Sequence, residues 1–478
     1  MRYPLMLLYL LGLGGSVCSQ GLDSVWSRVY DFRQTPDDWY VLNDGVHTSD
    51  NSFVLIGCVQ PVGPEGQLFI VKIGKDGDTA WSKTVGDELT HDVGVGIIEM
   101  SSSDLMAMSI VQFEGNWGRI RLHKMTPGGD VIWERTYLAE TEYAYGYGIA
   151  ETADSGTVVT GVSESDMFVL KTDSNGDSLW IRYFGGDFYD AGVAVAPTSD
   201  GGAIAVGYLS TADQKYDSLV VVRVDPLGDE VWGKVFPFSD GEVFDASADI
   251  YRDEGGEYIL TATPDFGPVF SYKVDENGTV LWSSDLDQDG YLTVLDICEG
   301  RNESTYITGS RGPAPHTLVG KIDSDGDSLF LSSLVLSENS TGEFIHQDDS
   351  GYIYVGGRLL QSHTFYIAKL KEDTESDIAE DRAITAPIYA LSQNYPNPFN
   401  PSTRIEFSLP ASTHVNMDIF NILGQRVRTL VDEDRPAGVY AVVWDGIDQD
   451  GGQVASGLYF CRLIAGDFVQ SKKMLLTR

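Results

Sequence analysis

The stretch LKTDSNGDSLW, residues 170–180, decides the architecture of this chain. Leu170 to Thr172 close an alternating apolar strand, Asp173 and Gly176 frame a tight turn in which glycine accepts φ > 0, and Ser178 to Trp180 open a second strand. Working outward, the same unit recurs as VKIGKDGDTAW (71–81), HKMTPGGDVIW (123–133), VRVDPLGDEVW (222–232), YKVDENGTVLW (272–282) and GKIDSDGDSLF (320–330). Trp26 is a further aromatic start that lacks its preceding strand. The steps between successive aromatics are 55, 52, 47, 52, 50 and 48 residues, the length of one propeller blade.

Each unit holds a second landmark, a polar turn followed by a short β run: SDNSFVLIG (49–57), SSDLMAMS (102–109), ADSGTVVTG (153–161), SDGGAIAVG (199–207), DEGGEYILTA (253–262), RNESTYITG (301–309) and DDSGYIYVGG (348–357). Before that turn lie runs rich in small residues, such as VGVGIIE (93–99), YGYGIAE (145–151) and AGVAVAP (191–197). Strands at the axis of a propeller are crowded by its taper, so these runs are predicted to be innermost and the aromatic-led strands outermost. The last copy supplies three strands and stops near Lys371, while the Trp26 strand stands alone at the front. The N-terminal strand is therefore expected to complete a seventh blade and hide two open sheet edges. The expected fold is all-β: a seven-bladed β-propeller over 21–371, an acidic linker over 372–390, and a small immunoglobulin-like β-sandwich over 391–478.

Residues 1–20 read as a cleaved signal peptide, with Arg2 ahead of a short apolar run and small residues at Gly14, Gly15, Ser16 and Ser19. A lipid anchor on Cys18 is the alternative, opposed by Val17 where a small residue is expected. No later segment is apolar for long enough to span a bilayer as a helix. Cys58, Cys298 and Cys461 then remain, read either as buried small hydrophobes or with a bridge between Cys58 and Cys298.

The net charge of −39 is concentrated in residues 1–371, which carry −33; the linker carries −5, and residues 391–478 carry 8 Lys and Arg against 9 Asp and Glu. Such a surface repels phosphate backbones and anionic bilayers, which excludes nucleic acid as a partner. Catalytic signatures are lacking: there is no metalloprotease helix motif, no phosphate-binding loop and no serine elbow. The seven histidines, at 47, 91, 123, 316, 346, 363 and 414, have no ligand-like spacing. Of these, His91 and His346 fall near inner strands, where they could face the channel.

The segment DLDQDGYLTVLD, 285–296, stands out as a candidate calcium loop. It sets Asp285, Asp287, Asp289 and Asp296 at positions 1, 3, 5 and 12, with Gly290 at position 6 and the Tyr291 carbonyl at position 7. Position 12 is Asp rather than the longer Glu, and no helix flanks the loop, so an ordinary acidic connection is the competing reading.

The blades resemble the secreted bacterial propeller repeats of the PQQ-like and "delta-60" families, which share a scaffold rather than a reaction. Their turns differ from sialidase Asp boxes, because Trp81 follows Gly77 by four residues instead of three. Beyond the linker, LSQNYPNPFNPSTRIEFSLP (391–410), NMDIFNILGQRVRTL (416–430), AGVYAVVWDGIDQDGGQVASGLYFCRL (437–463) and SKKMLLTR (471–478) resemble the C-terminal sorting domain of type IX (Por) secretion substrates, an immunoglobulin-like fold also found in flagellar-hook-capping proteins. The resemblance implies passage through the periplasm to the outer surface or medium, with the type IX machinery as partner. It places the sorting signal on Lys472, Lys473 and Arg478. An exported, non-enzymatic propeller that binds an extracellular ligand, glycan or protein is the expected function. The alternative is an enzyme acting on extracellular polysaccharide through carboxylates gathered in the channel.

Overall fold

The blade repeat of the sequence becomes seven four-stranded antiparallel sheets in the computed structural model. The structure describes residues 17–18, 22–33, 39–60, 66–86, 90–112, 118–141, 143–186, 188–210, 216–237, 246–264, 269–286, 292–312, 315–336, 339–372, 390–391, 394, 399–409, 412–422, 424–435, 438–449, 451–466 and 468–477. The signal-peptide residues 1–16 and 19–20, and nearly all of the acidic linker, lie outside them. Two compact units result, one spanning Ser24–Glu372 and the other made of Asp373–Arg478 together with Val17–Asp23.

The innermost strands of blades 1 to 7 are Trp39–His47, His91–Glu99, Ala144–Glu151, Ala191–Pro197, Ala246–Arg252, Leu292–Glu299 and Ser340–Gln347. The outermost strands of blades 1 to 6 are Thr79–Val85, Val131–Tyr137, Ser178–Phe184, Glu230–Pro237, Val280–Asp285 and Ser328–Val335. Blade 7 is finished by the N-terminal strand Leu22–Tyr30, which joins Thr364–Glu372, so the two chain ends of the array close the ring as expected. Second and third strands, such as Thr157–Ser163 and Asp166–Thr172, are buried along their length apart from Asp166, and they read as continuous apolar runs. Cys58, Cys298 and Cys461 are all free thiols, so the bridge between Cys58 and Cys298 does not form.

The Asp and Gly of each repeat are explained locally. Asp173 Oδ1 accepts the N–H groups of Asn175 and Asp177, and Asp225, Asp275 and Asp323 repeat that pattern in the next three blades. The turn glycines Gly77, Gly129, Gly176, Gly228, Gly278 and Gly326 all have φ between +77° and +90°. The aromatic joins neighbouring blades. A Cβ on Gly129, Gly176, Gly228, Gly278 or Gly326 would sit 2.5–2.9 Å from the indole of the preceding blade's Trp81, Trp133, Trp180, Trp232 or Trp282. Trp180 and Trp232 also donate their indole N–H to carbonyls of the next blade's turn, Pro226 O and Glu276 O. The basic residue two positions after the Trp lies over its ring, as Arg28, Lys83, Arg135 and Arg182 do at 5.7–5.9 Å.

The recurrent Lys of the third strand is the other cross-brace. Lys72, Lys171 and Lys273 are buried along their stems and place their ammonium on Asp50, Asp154 and Asp253 of the polar turn. Burial pushes the Asp50 carboxyl up, but bonds from Lys72, Thr48 and Ser52 outweigh it and hold it at about 2.

The C-terminal unit stacks two sheets. One contains Ala390–Leu391, Thr403–Leu409 and Gly438–Trp444; the other runs in the order Arg426–Arg435, Thr413–Asn421, Gly457–Ala465, Phe468–Leu476. Trp444, Phe407, Phe399, Ile405, Met417 and Leu463 are buried between them, the core of an immunoglobulin-like sandwich.

Two glycines separate backbone strain from the indole contact. Gly201 has φ +90° and only the Pro226 ring, 4.0 Å away, near its missing Cβ, whereas Gly228 has φ +83° and Trp180 at 2.7 Å. Gly201→Ala is expected to cost about 1–2 kcal/mol from backbone strain alone. Gly228→Ala should cost about 1–3 kcal/mol more, because the ring must move. The urea midpoints of the two variants measure the difference.

Candidate functional site

The innermost strands are edge strands, so along their open side some backbone N–H groups point toward the axis with no strand to receive them. In six of the seven, a β-bulge interrupts the register midway, between Leu42 and Asp44, Gly94 and Gly96, Gly146 and Gly148, Gly192 and Ala194, Val294 and Asp296, and Gly342 and Phe344. Blade 5 pairs in continuous register. The bulges turn both the bulged residue and its successor toward the axis.

A cavity of about 210 Å³ lies where these positions meet. Its wall is asymmetric. Blades 2, 3 and 4 contribute Gly96, Gly148 and Ala194, while blades 1, 5, 6 and 7 contribute Asp44, Asp249, Asp296 and Glu343. Both channel linings considered from the sequence, small apolar residues and gathered carboxylates, are thus present on opposite sides.

Three of the four carboxylates bind a neighbouring blade through its backbone. Asp44 Oδ2 accepts Ile97 N–H at 2.8 Å, Asp249 Oδ2 accepts Ile297 N–H at 3.0 Å, and Asp296 Oδ2 accepts Ile345 N–H at 2.6 Å. Glu343 Oε1 accepts from Arg358 Nε at 2.7 Å. Asp249 and Asp296 also hydrogen-bond each other side chain to side chain, so one must carry a proton. Burial raises both, and the charges of Asp249 and Asp44 raise Asp296 further, well above the usual range. Burial brings Asp44 to about 7, assisted by the charges of Asp249 and Glu343. All three keep some surface toward the lumen.

The calcium candidates separate in the fold. Asp285 is the exposed last residue of the outer strand Val280–Asp285. Asp296 lies in the middle of the inner strand Leu292–Glu299, its carboxyl engaged by Ile345 and Asp249. Asp287, Asp289 and Tyr291 lie outside the described residues, and among the described residues no group of three His, Cys, Asp or Glu side chains is placed to hold a metal. His91 is satisfied by the Gly66 N–H at 2.6 Å, and His346 stacks on His47 at 4.0 Å. Of the sorting residues, Lys472 is half-buried and Lys473 exposed on the terminal strand Phe468–Leu476, at the edge of its sheet; Arg478 lies outside the described residues.

Asp44 and Asp249 escaped the sequence reading although their signal was there. In register, Asp44, Gly96, Gly148, Ala194, Asp249, Asp296 and Phe344 occupy one position of the inner strand, each preceding the residue that turns back into the sheet.

Comparison with known proteins adds one assignment. Residues 397–465 match the FlgD Ig-like domain. No curated protein matches the chain. Similar solved structures include the Pseudomonas aeruginosa periplasmic gluconolactonase PpgL, at 10% identity over 69% of this chain and 96% of that one, TM-score 0.45. Others are Drosophila Plexin A, at 9% over 76% and 89%, TM-score 0.43, and PorZ of Porphyromonas gingivalis, a surface component of its type IX secretion system, at 10% over 91% and 81%, TM-score 0.24. Among the described residues no helix is long and apolar enough to cross a membrane.

The channel makes stability pH-dependent. A carboxyl whose value is raised on folding binds its proton more tightly folded than unfolded. Its contribution is therefore present below about pH 4 and is lost as pH rises through the folded value. Above about pH 6.5 His47, His123 and His346, whose values burial lowers, are neutral folded and unfolded alike, so from there to pH 8 the urea midpoint of the propeller is expected to fall. Asp296→Asn keeps the acceptor for Ile345 and supplies a donor to Asp249 without a titrating proton, and should flatten that fall.

Proposed function

We propose that this chain is an exported propeller, delivered through the periplasm to the outer surface or medium by a C-terminal domain that acts as a type IX sorting signal, where the propeller binds an extracellular ligand, glycan or protein. The observation that carries the reading is the FlgD Ig-like match over residues 397–465; beyond the matched residues the same sheet ends in the edge strand Phe468–Leu476, whose outward face carries Lys473 beside exposed Val469 and Leu475. An edge strand with a basic and apolar outward face is suited to strand addition by a partner. The signal-peptide pattern of residues 1–20 supports the first export step.

Enzymatic action on polysaccharide is the second reading, favoured by the Asp249 and Asp296 pair. Two carboxyls in hydrogen-bond contact are closer than the roughly 5 Å or more that a glycosidase acid and nucleophile or base require. Both are also committed to backbone N–H groups of the next blade. We therefore assign the pair to joining blades and the protein to binding. Calcium held by Asp285, Asp287, Asp289 and the Tyr291 carbonyl, without Asp296, belongs to the same reading.

Fractionation of the native host should find the chain lacking 391–478 held in the periplasm, with Lys472→Ala and Lys473→Ala together giving partial retention. Unchanged export of the truncated chain would overturn the sorting role. Calcium titration followed by calorimetry should show one site that Asp287→Ala abolishes and Asp296→Asn leaves intact.

A further inference from the structure

Where the ring closes, blades 7 and 1 enclose a second cavity, of about 560 Å³, separate from the axial one. Its wall comes from the residue after the closing strand, Arg33, from the start of the first inner strand, Trp39 to Val41, and from 358–363 at the hairpin of blade 7. Strand order places it at the end of the propeller opposite the Asp and Gly turns, where second strands lead into third strands and each blade leads into the next.

Three features of this cavity point to a ligand. Trp39 keeps 37% of its surface exposed at the rim, its ring tilted against His363 at 6.4 Å, so a large apolar face stands uncovered. Arg358 gives Nε to Glu343 and makes no other hydrogen bond among the described residues, which leaves its two terminal nitrogens as a donor pair. Among the described residues that line the cavity none is a carboxylate, the nearest being Asp31 and Glu343 on the far side of Arg33 and Arg358, while Gln361 and Ser362 add polar side chains beside Trp39. The hairpin is held in place: His363 has φ +54°, and its carbonyl accepts Tyr40 N–H.

An aromatic face next to a guanidinium fork matches a sugar ring that bears a carboxylate, the ring lying on the indole and the carboxylate taken by the paired N–H donors. The acidic surface of the remainder acts through solvent and is screened over about 8 Å at physiological ionic strength, so contact chemistry governs inside the cavity. We propose that the cavity formed by Trp39, Arg358, Gln361, Ser362 and His363 binds a uronic-acid residue of an extracellular polysaccharide. This deepens the ligand-binding reading above and rests on it.

The test is isothermal titration of the full chain with trigalacturonate and trimannuronate, beside the neutral galactose and mannose trisaccharides. Expected are binding of at least one uronate, at least tenfold weaker binding of its neutral counterpart, and a loss of about tenfold or more in both Trp39→Ala and Arg358→Lys. Arg358→Lys keeps the charge opposite Glu343 and removes only the fork, and unchanged urea midpoints for both variants exclude a folding defect. Uronate binding that both variants retain would overturn this site while leaving a ligand-binding propeller. Absence of binding by either uronate would overturn the inference, and the export experiment would still judge the sorting role by itself.

Discussion

The contact on which the ring depends is the indole of one blade resting on the turn glycine of the next. A glycine is required there twice over: the turn needs a positive φ, and the space a Cβ would fill is occupied by the ring. The basic residue above the indole then reaches the acid that follows the glycine, as Arg28 does with Asp78, Lys83 with Asp130, and Arg182 with Asp229. These ion pairs are exposed and each contributes little. The rings carry the apolar area, and the charges fix which way each ring is covered. From blade 1 to blade 6, a blade cannot shift along its neighbour without lifting a tryptophan from a turn; at the closing junction the Arg28 side chain takes that place against Gly77.

A second series of bonds joins the blades at the same end. Glu99 and Glu151, at the ends of their inner strands, accept both the N–H and the hydroxyl of Ser49 and Ser101 in the preceding blade, and Gln347 accepts Arg301 N–H. The channel carboxylates do the same work midway along the strands. From the axis outward, three kinds of bond therefore join blades, in different combinations at different junctions: a carboxylate on a backbone N–H, a glutamate on a turn, and an indole on a glycine; the junction of blades 1 and 2 has all three, through Asp44, Glu99 and Trp81. The first of these sets carries an electrostatic cost at neutral pH that the other two do not.

The propeller was legible because its repeat is a set of local instructions. Asp173 and Gly176 specify a turn whatever lies around them, and Gly and Ala in 145–151 and 191–197 fit only the crowded axis. What recurring residues touch beyond their own strand was not legible: the Lys in VKI and LKT reads as an interruption of an apolar strand until Asp50 and Asp154, in the polar turn of the same blade, are seen to receive it. The reading of 285–296 as one loop failed at Asp296 for a related reason. Acids at alternate positions suit a cation loop, but alternation is also the period of a strand, and from Leu292 onward the chain is in the sheet. The carboxylate partners of Asp296, Asp249 and Asp44, belong to other blades, which no local window contains.

The two ends of the propeller are thus governed by different constraints. At the turn end nearly every recurring side chain is committed to the adjacent blade, so a substitution there is felt as lost stability. At the opposite end the connections differ in length and sequence from blade to blade, for example QPVGPEGQ at 60–67 and SRGPAPH at 310–316. That end also carries Trp39 and Leu360 in exposed positions that the ring does not need. A scaffold whose blades are locked at one end can tolerate variation at the other without losing closure. Ring closure adds one feature that no internal blade junction has: its wall is drawn from both ends of the array, so Arg33 and Trp39 meet the 358–363 hairpin only when the seventh blade is complete. A ligand seated there would contact both partners of that junction and should stabilise the closed ring as well as occupy it.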